Sequence, residues 1–167
     1  MNIQLHSTDI TSANLWIFSW KCRQTGKLGE QGWKFDKHFC LSLSNFCSIE
    51  CKDYEKLDKA DRKITHEGDD ECDKDIGPGW FRFEGKAGTR MATSCTPKDR
   101  CDTVVTSWLN GDHPTVADGQ VTRQVCFHYG DNCCNWSTNI KVRNCGSYYV
   151  YHFDGVPSCN ARYCGTD

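Results

Sequence analysis

Cysteine is the residue type whose number and spacing in this chain could support chemistry. Thirteen cysteines occur in 167 residues. Ten of them fall in one segment: Cys51, Cys72, Cys95, Cys101, Cys126, Cys133, Cys134, Cys145, Cys159 and Cys164. Thiols at this density bind metal ions, act as nucleophiles or form disulfide bonds.

The arrangement of the cysteines favours disulfide bonds over a metal site. Structural zinc sites pair their ligands as Cys-x2–4-Cys and add a second pair of cysteines or histidines. Cys126, His128, Cys133 and Cys134 can be drawn as a ligand set. However, adjacent side chains point in opposite directions along an extended backbone, so Cys133 and Cys134 do not converge on one ion. We therefore expect disulfides, no metal site and no other cofactor.

Other patterns that could support catalysis are weak. The chain contains no Gly-x-Ser-x-Gly motif, which marks a serine nucleophile. His113 lies beside Asp112 and near Ser107, but the preceding Asn110-Gly111 is typical of a turn, so we expect His113 to order a loop. The acidic run 69–75 lacks the ligand order of an EF-hand and predicts a solvated loop. We expect no catalytic residue and a protein that is not an enzyme.

Composition and charge limit the partners. The hydrophobic fraction is 38%, the mean hydropathy is −0.66 and the mass is 19.1 kDa, which suits one domain and an extension. The net charge is −2, and no basic stripe alternates with aromatic residues, so nucleic acid is not an expected partner. No apolar stretch is long enough to span a membrane.

The N-terminus does not match the compartment that the cysteines require. So many bridges form only in an oxidising compartment, which predicts an extracellular or secreted protein. Residues 1–30 hold only the short apolar run 15–18, whereas a signal peptide needs roughly 7–15 apolar residues. We expect the N-terminus to be incomplete or mis-assigned.

Periodicity divides the chain into an extension and a domain. Residues 1–50 have poor periodicity and are predicted to be a poorly ordered extension or the remnant of a preceding module. Apolar residues at helical spacing after Asp53 predict one short helix up to Ile64. Segments 79–85, 121–128, 140–145 and 148–153 read as strands. The prediction for 51–164 is a β-rich α+β fold, a small antiparallel disulfide-bridged domain with one or two short helices.

Two surface features suggest contact with sugars. Trp80, Trp108, Trp136 and Tyr148 could line a sugar-binding face, although aromatic residues in a small domain more often belong to the core. Asn135-Trp136-Ser137 is an N-glycosylation sequon, and we expect Asn135 to lie in a polar turn after Cys134. A glycan displayed by this chain would be attached there, because no other Asn-x-Ser/Thr triplet occurs.

A set of motifs resembles one known module. The motifs include Gly79-Trp-Phe-Arg-Phe-x-Gly85-x-Ala-Gly-Thr-Arg-Met91, Trp108-Leu-Asn-Gly-x-His-Pro114, Cys133-Cys134, Val142-Arg-Asn-Cys145 and Tyr148-Tyr-Val-Tyr151. On these motifs, residues 51–164 resemble the uromodulin-type extracellular eight-cysteine domain, in its ten-cysteine form. The resemblance does not extend to residues 1–50.

The resemblance implies a disulfide pattern and a non-catalytic role. The implied bonds are Cys51–Cys145, Cys72–Cys159, Cys95–Cys133, Cys101–Cys164 and Cys126–Cys134. Because thirteen is odd, at least one thiol stays unpaired within the chain, and we expect it among Cys22, Cys40 and Cys47. Members of the family are secreted or anchored glycoproteins. Some present an N-glycan to bacterial lectins from the position after Tyr-Tyr-Val-Tyr, which is His152 here.

These observations predict an extracellular interaction module. It would present a rigid, disulfide-stabilised surface, with or without an N-glycan on Asn135, to an extracellular protein or a microbial lectin. The alternative is a carbohydrate-binding domain that uses Trp108 and neighbouring aromatic residues. The sequence leaves the oligomeric state open.

Overall fold

The computed structural model describes residues 48–167, so Cys22, Cys40, Cys47 and nearly all of the predicted N-terminal extension lie outside the described residues. The described residues contain four short 3-10 helices, Ile49–Cys51, Ala60–Arg62, Gly85–Ala87 and Val116–Asp118. The strands are β1 Glu55–Leu57, β2 Gly79–Phe83, β3 Arg90–Met91, β4 Val105–Asn110, β5 Gln120–Tyr129, β6 Asn132–Asn144, β7 Tyr149–Phe153, β8 Ala161–Arg162 and β9 Gly165–Thr166.

Seven of the strands form one sheet in the order β1-β2-β7-β6-β5-β4-β8. Its five central strands pair antiparallel, but β1 pairs with β2 and β8 pairs with β4 in parallel. The sheet is therefore mixed, which corrects the antiparallel prediction at both edges. Strands β3 and β9 form a separate antiparallel pair. Within residues 48–167, no helix has the length and hydrophobicity to cross a membrane.

The hairpin of β5 and β6 forms the centre of the sheet. Val121, Val125 and Phe127 alternate with polar residues, as expected for strands with one buried face, and they pair with Val142, Thr138 and Trp136. Gly130 turns the chain with a φ of 60°, which suits a residue without a Cβ. Near this turn the register shifts, because Phe127 pairs with Trp136 while Tyr129 pairs with Asn132. On the β6 side, three residues, 133–135, thus lie opposite the single residue His128 of β5.

The short helix predicted from Asp53 to Ile64 is wrong. The segment forms strand β1 and then the 3-10 helix Ala60–Arg62. Of the three residues of β1, only Leu57 is buried. Strand β1 pairs in parallel with β2, and just after β2 the Glu84 N–H donates a hydrogen bond to the Leu57 carbonyl at 3.1 Å. Pairing with a neighbouring strand satisfies the backbone here, so the helical spacing of apolar residues does not decide the structure.

The core lies on one face of the sheet and is rich in aromatic rings. Phe153 stacks on Tyr163 with ring centroids 3.6 Å apart, and Phe81, Phe83 and Tyr151 pack around it. All five residues are buried. Burial raises the pKa of the Tyr151 and Tyr163 hydroxyls well above the ordinary value, so both stay protonated.

A buried network of ion pairs joins β8 to the loops before β2. Arg162 is 1% exposed, and its guanidinium donates to Asp61 Oδ1 and to the Cys101 carbonyl, both at 2.9 Å. Asp73 accepts two hydrogen bonds from Arg62, at 2.6 and 2.8 Å, and one from the Tyr163 N–H at 2.9 Å. Asp73 is buried, so the run 69–75 is not the fully solvated loop that its charges predict.

Candidate functional site

Four disulfide bonds connect distant parts of the described domain. They are Cys51–Cys145, Cys95–Cys133, Cys101–Cys164 and Cys126–Cys134, with sequence separations of 94, 38, 63 and 8 residues. All four belong to the set that the family resemblance implies. Three of them close long loops, so they restrict the unfolded chain most strongly.

The adjacent Cys133 and Cys134 bond to different partners. Cys133 bonds to Cys95, which precedes β4, while Cys134 bonds to Cys126 on β5. Both cysteines lie among residues 133–135 of β6, at the register shift. The β6 backbone is irregular at this shift, so the Cys133 and Cys134 side chains do not follow the regular alternation of a strand. Each of the two reaches a different cysteine.

The fifth implied bond is not formed in this structure. Cys72 is half-buried, Cys159 is exposed, and both thiols are free. Their chain neighbours are close, since the Asp73 N–H donates to the Ala161 carbonyl at 2.9 Å. The Cys72–Cys159 bond therefore stays a proposal.

His113 holds a loop against the core. The Tyr151 hydroxyl accepts a hydrogen bond from the Met91 N–H at 3.1 Å and lies 2.7 Å from His113 Nε2. We therefore assign the second bond as one that the Tyr151 O–H donates to an unprotonated His113 Nε2. Burial and nearby Arg90 lower the pKa of His113 to about 4, which keeps it neutral. Ser107 is buried, and its Oγ accepts the Cys164 N–H at 3.1 Å. The structure thus shows no nucleophile–base pair between Ser107 and His113.

Two groups of metal-ligand types converge in the described residues. In the group Cys95, His128 and Cys133, the sulfurs are joined in a disulfide, and His128 Nδ1 donates to the Thr96 carbonyl at 2.8 Å. The ligand set that the sequence made conceivable, Cys126, His128, Cys133 and Cys134, also has its sulfurs in disulfides, because Cys126 bonds to Cys134 and Cys133 bonds to Cys95.

The second group contains Asp61, Glu71 and Asp102. The Arg162 guanidinium lies 2.9 Å from Asp61 Oδ1 and 4.0 Å from Glu71 Oε2, so it already supplies positive charge to these carboxylates. The cluster is explained as part of the buried ion network.

The four aromatic residues considered for sugar contact do not form one platform. Trp136 packs against the core and pairs with Tyr129 at the hairpin end. Tyr148 supports the Arg82 guanidinium 3.9 Å above its ring, and its hydroxyl donates to the Cys51 carbonyl at 2.6 Å. Trp80 meets His152 edge to face. Trp108 lies on the face of the sheet opposite the core.

Asn135 is exposed, but it lies in strand β6 rather than in the predicted turn. It follows Cys134 at the register shift, and Ser137 Oγ of the same sequon accepts Gln124 Nε2 at 3.2 Å. His152, at the position where some family members carry a glycan, is half-buried between Trp80 and Lys141. Asn135 and His152 therefore lie on different strands, and Asn135 is exposed whereas His152 is half-buried.

The outer face of the sheet lies opposite the core. We define it by six residues on β4, β5 and β6: Trp108, Asn110, Gln124, Ser137, Asn139 and Lys141. Of these six, Trp108 is the one residue that the sequence predicted as a candidate for sugar contact. Register puts Asn110, Gln124 and Asn139 in one row, and Trp108 and Ser137 in the next row on either side of Cys126. The sequence signal for this face is the alternation of its polar residues with the core residues Leu109, Val125 and Ile140.

Comparisons with known proteins connect this geometry to a family. A family model described as a uromodulin-like domain matches residues 81–165. The pancreatic secretory granule membrane major glycoprotein GP2 of Canis lupus familiaris is 46% identical over 116 residues, and that of Homo sapiens is 41% identical over 123. Uromodulin of Rattus norvegicus is 44% identical over 119 residues.

These matches cover most of this chain but a small part of the relatives. They include 68%, 72% and 71% of the chain and 23%, 23% and 18% of the GP2 proteins of dog and human and of rat uromodulin, respectively. The chain thus spans about a quarter or less of the length of these relatives.

Proposed function

The chain belongs to the uromodulin-like domain family, and we propose that its domain is a non-catalytic, extracellular interaction module of a glycoprotein. The observation that carries this proposal is the set of four disulfide bonds, which fix an open sheet surface without a nucleophile–base pair among the residues considered for catalysis. Disulfides of this density are stable in an oxidising compartment. A rigid surface binds a partner with little loss of conformational entropy.

We propose that all ten cysteines from Cys51 to Cys164 are oxidised in the native protein. This includes a Cys72–Cys159 bond, supported by the family pattern and by the backbone hydrogen bond between Asp73 and Ala161. Peptide mapping without reduction, on protein made through a eukaryotic secretory pathway, should recover five linked pairs. Alkylation of Cys72 and Cys159 in unfolded, unreduced protein would remove the fifth bond from the proposal.

We propose that the module displays an N-glycan from Asn135 to a microbial lectin. Asn135 is exposed, and a sugar attached to an exposed side chain can extend into solvent without unpacking the core. Mass spectrometry of the secreted protein should find the sequon occupied in part of the molecules. The variants Asn135→Gln and Ser137→Ala should both remove the glycan, while Thr138→Val, which removes the neighbouring hydroxyl outside the sequon, should retain it.

Lectin binding gives the functional test of this glycan. A mannose-specific bacterial lectin immobilised on a sensor should capture the glycosylated protein and release it when free mannoside is added. Asn135→Gln should abolish capture. Equal capture of the wild type and this variant would show that a protein surface, not the glycan, makes the contact.

A further inference from the structure

The five central strands of the sheet, which include the three that carry the outer face, contain no acidic residue. The chain holds 22 Asp and Glu residues, yet none occurs in β2, β4, β5, β6 or β7. The same strands contain Arg82, Arg123, Lys141 and Arg143. Arg123 lies in phase with Val121 and Val125 on the core face, so the cations on the opposite face are Arg82, Lys141 and Arg143. A face with cations and without carboxylates in its strands suits an anionic ligand.

Lys141 is the cation that this face leaves available. Arg143 pairs with Glu50 at 2.5 Å, and Arg82 lies 3.6 Å from Glu84. Lys141 is exposed on β6, between Thr122 of β5 and His152 of β7. Within residues 48–167 no carboxylate lies within 4.0 Å of its ammonium group, which can therefore meet a carboxylate of a ligand.

Amide side chains form a connected row next to Lys141. Asn110 Nδ2 donates to Gln124 Oε1 at 2.7 Å, and Gln124 Nε2 donates to Ser137 Oγ at 3.2 Å. Asn139 is exposed and pairs with Gln124 across the strands. Amide groups offer donors and acceptors together, which matches the hydroxyl groups of a sugar. The side chains of Asn110 and Gln124 are thus held by hydrogen bonds before any ligand binds.

Trp108 provides an apolar ring at the other end of the face. Its Nε1 donates to the Cys133 carbonyl at 2.7 Å, and its strand neighbour Cys126 is bonded to Cys134. The half-buried indole is thus fixed without a ligand. An aromatic ring can pack against the C–H groups of a sugar ring, and neighbouring amides can bind the hydroxyl groups of the same sugar.

We propose that the outer face binds an acidic oligosaccharide. A neutral sugar would lie on Trp108 and the amide row, and the carboxylate of a sialic or uronic acid would bind Lys141. Strand spacing and rise place the Trp108 and Lys141 backbones about 16 Å apart, which is longer than one sugar ring. The ligand is a free or partner-borne saccharide, so this binding is independent of a glycan on Asn135.

The test uses the secreted protein carrying Asn135→Gln, so that its own glycan cannot compete. It is applied to an array of oligosaccharides printed as matched sialylated and desialylated pairs, together with uronic-acid saccharides. Acidic members should bind about tenfold more strongly than their neutral partners, the effect of one charge-assisted contact. Their binding should weaken as salt rises. The absence of binding to every saccharide would overturn the proposal.

Variants separate the two parts of the face. Lys141→Gln should remove the preference for acidic members and leave weak binding of neutral ones, whereas Asn139→Ala should weaken both classes. Lys74→Gln removes an exposed lysine outside the sheet and should change neither. Trp108→Phe should weaken binding of all members, with folding checked by circular dichroism. If polyglutamate binds as strongly as the best saccharide, charge alone explains the contact and the saccharide assignment is wrong.

Discussion

The central sheet and the ion network beside β8 are stabilised by different interactions. The strands β2 and β4–β7 bury aliphatic and aromatic side chains on one face and contain no acidic residue. The loops before β2 instead bring Asp61 and Asp73 to Arg62 and Arg162, which are buried or nearly so. The hydrophobic effect is non-directional, so buried apolar side chains need no partner in a fixed orientation. Each buried charge, by contrast, requires a correctly placed partner of opposite charge.

This contrast explains how the two regions tolerate change. A core methyl group lost from the sheet leaves a cavity whose cost depends on relaxation of its neighbours. A charge lost from the network leaves its partner buried without compensation, and this cost is large even when the intact pair contributes little. The network region should therefore be the more sensitive of the two to single polar substitutions.

The largest effect is expected at Asp73. Asp73→Ala leaves the Arg62 guanidinium without its two carboxylate bonds and the Tyr163 N–H without an acceptor. We expect a loss of about 3–5 kcal/mol in the free energy of unfolding, measured by urea denaturation. Asp75→Ala, at an exposed position of the same loop, is the control and should cost less than about 0.5 kcal/mol. Equal losses would mean that burial of Asp73 is not what matters.

The disulfide bonds should differ according to the loops that they close. For loop lengths near 94 and 8 residues, chain entropy gives about 4.7 kcal/mol for Cys51–Cys145 and about 2.6 kcal/mol for Cys126–Cys134. The other bonds shorten the effective long loop, so we expect the difference between the two to be about 1–2 kcal/mol. Double Cys→Ser variants of each pair, compared in urea, measure it. A larger loss for Cys126 and Cys134 would show that local packing near β6 dominates.

The sequence predicts the sheet better than the loops. Segments 79–85, 121–128, 140–145 and 148–153 were predicted as strands, and each overlaps β2, β5, β6 or β7. Their alternating apolar residues and β-branched or aromatic composition are local signals, so a single sequence carries them. The parallel edge strands β1 and β8 are too short to show a pattern. Their formation depends on neighbours distant in sequence.

The candidate site was predicted unevenly for the same reason. The disulfide partners came from resemblance, because cysteine spacing alone cannot select one pairing. Asn135 was found from its sequon, but its place in a strand depends on the register shift of β6. Apart from Trp108, the outer face was missed because Asn110, Gln124 and Asn139 meet only through strand pairing. The sequence shows long segments without Asp or Glu, but only the strand boundaries show that these segments lie together in one sheet.

A moderate effect of pH is expected at the boundary of the core, through His113. Its pKa of about 4 in the folded protein lies below the ordinary value of 6.5, so the unfolded chain binds the proton first. The contribution of neutral His113 is complete above pH 6.5 and is lost as pH falls towards 4. The urea midpoint should decrease over this window, and His113→Gln should reduce the decrease. An unchanged slope in the variant would assign the pH dependence to other groups.

The smallest effect is expected at an ion pair outside the buried network. Arg100 Nη1 lies 2.7 Å from Glu67 Oε1, but the two side chains are 34% and 77% exposed. Water and salt screen such a pair, and holding two long side chains together costs conformational entropy. Glu67→Gln should therefore change the free energy of unfolding by less than about 0.5 kcal/mol, and 1 M NaCl should remove even this difference. The Asp73 pair has a similar distance but buried partners, so the Asp73→Ala loss should persist in the same salt. A loss at Glu67 comparable to that at Asp73 would show that separation between charges, rather than their burial, sets the sensitivity of this region.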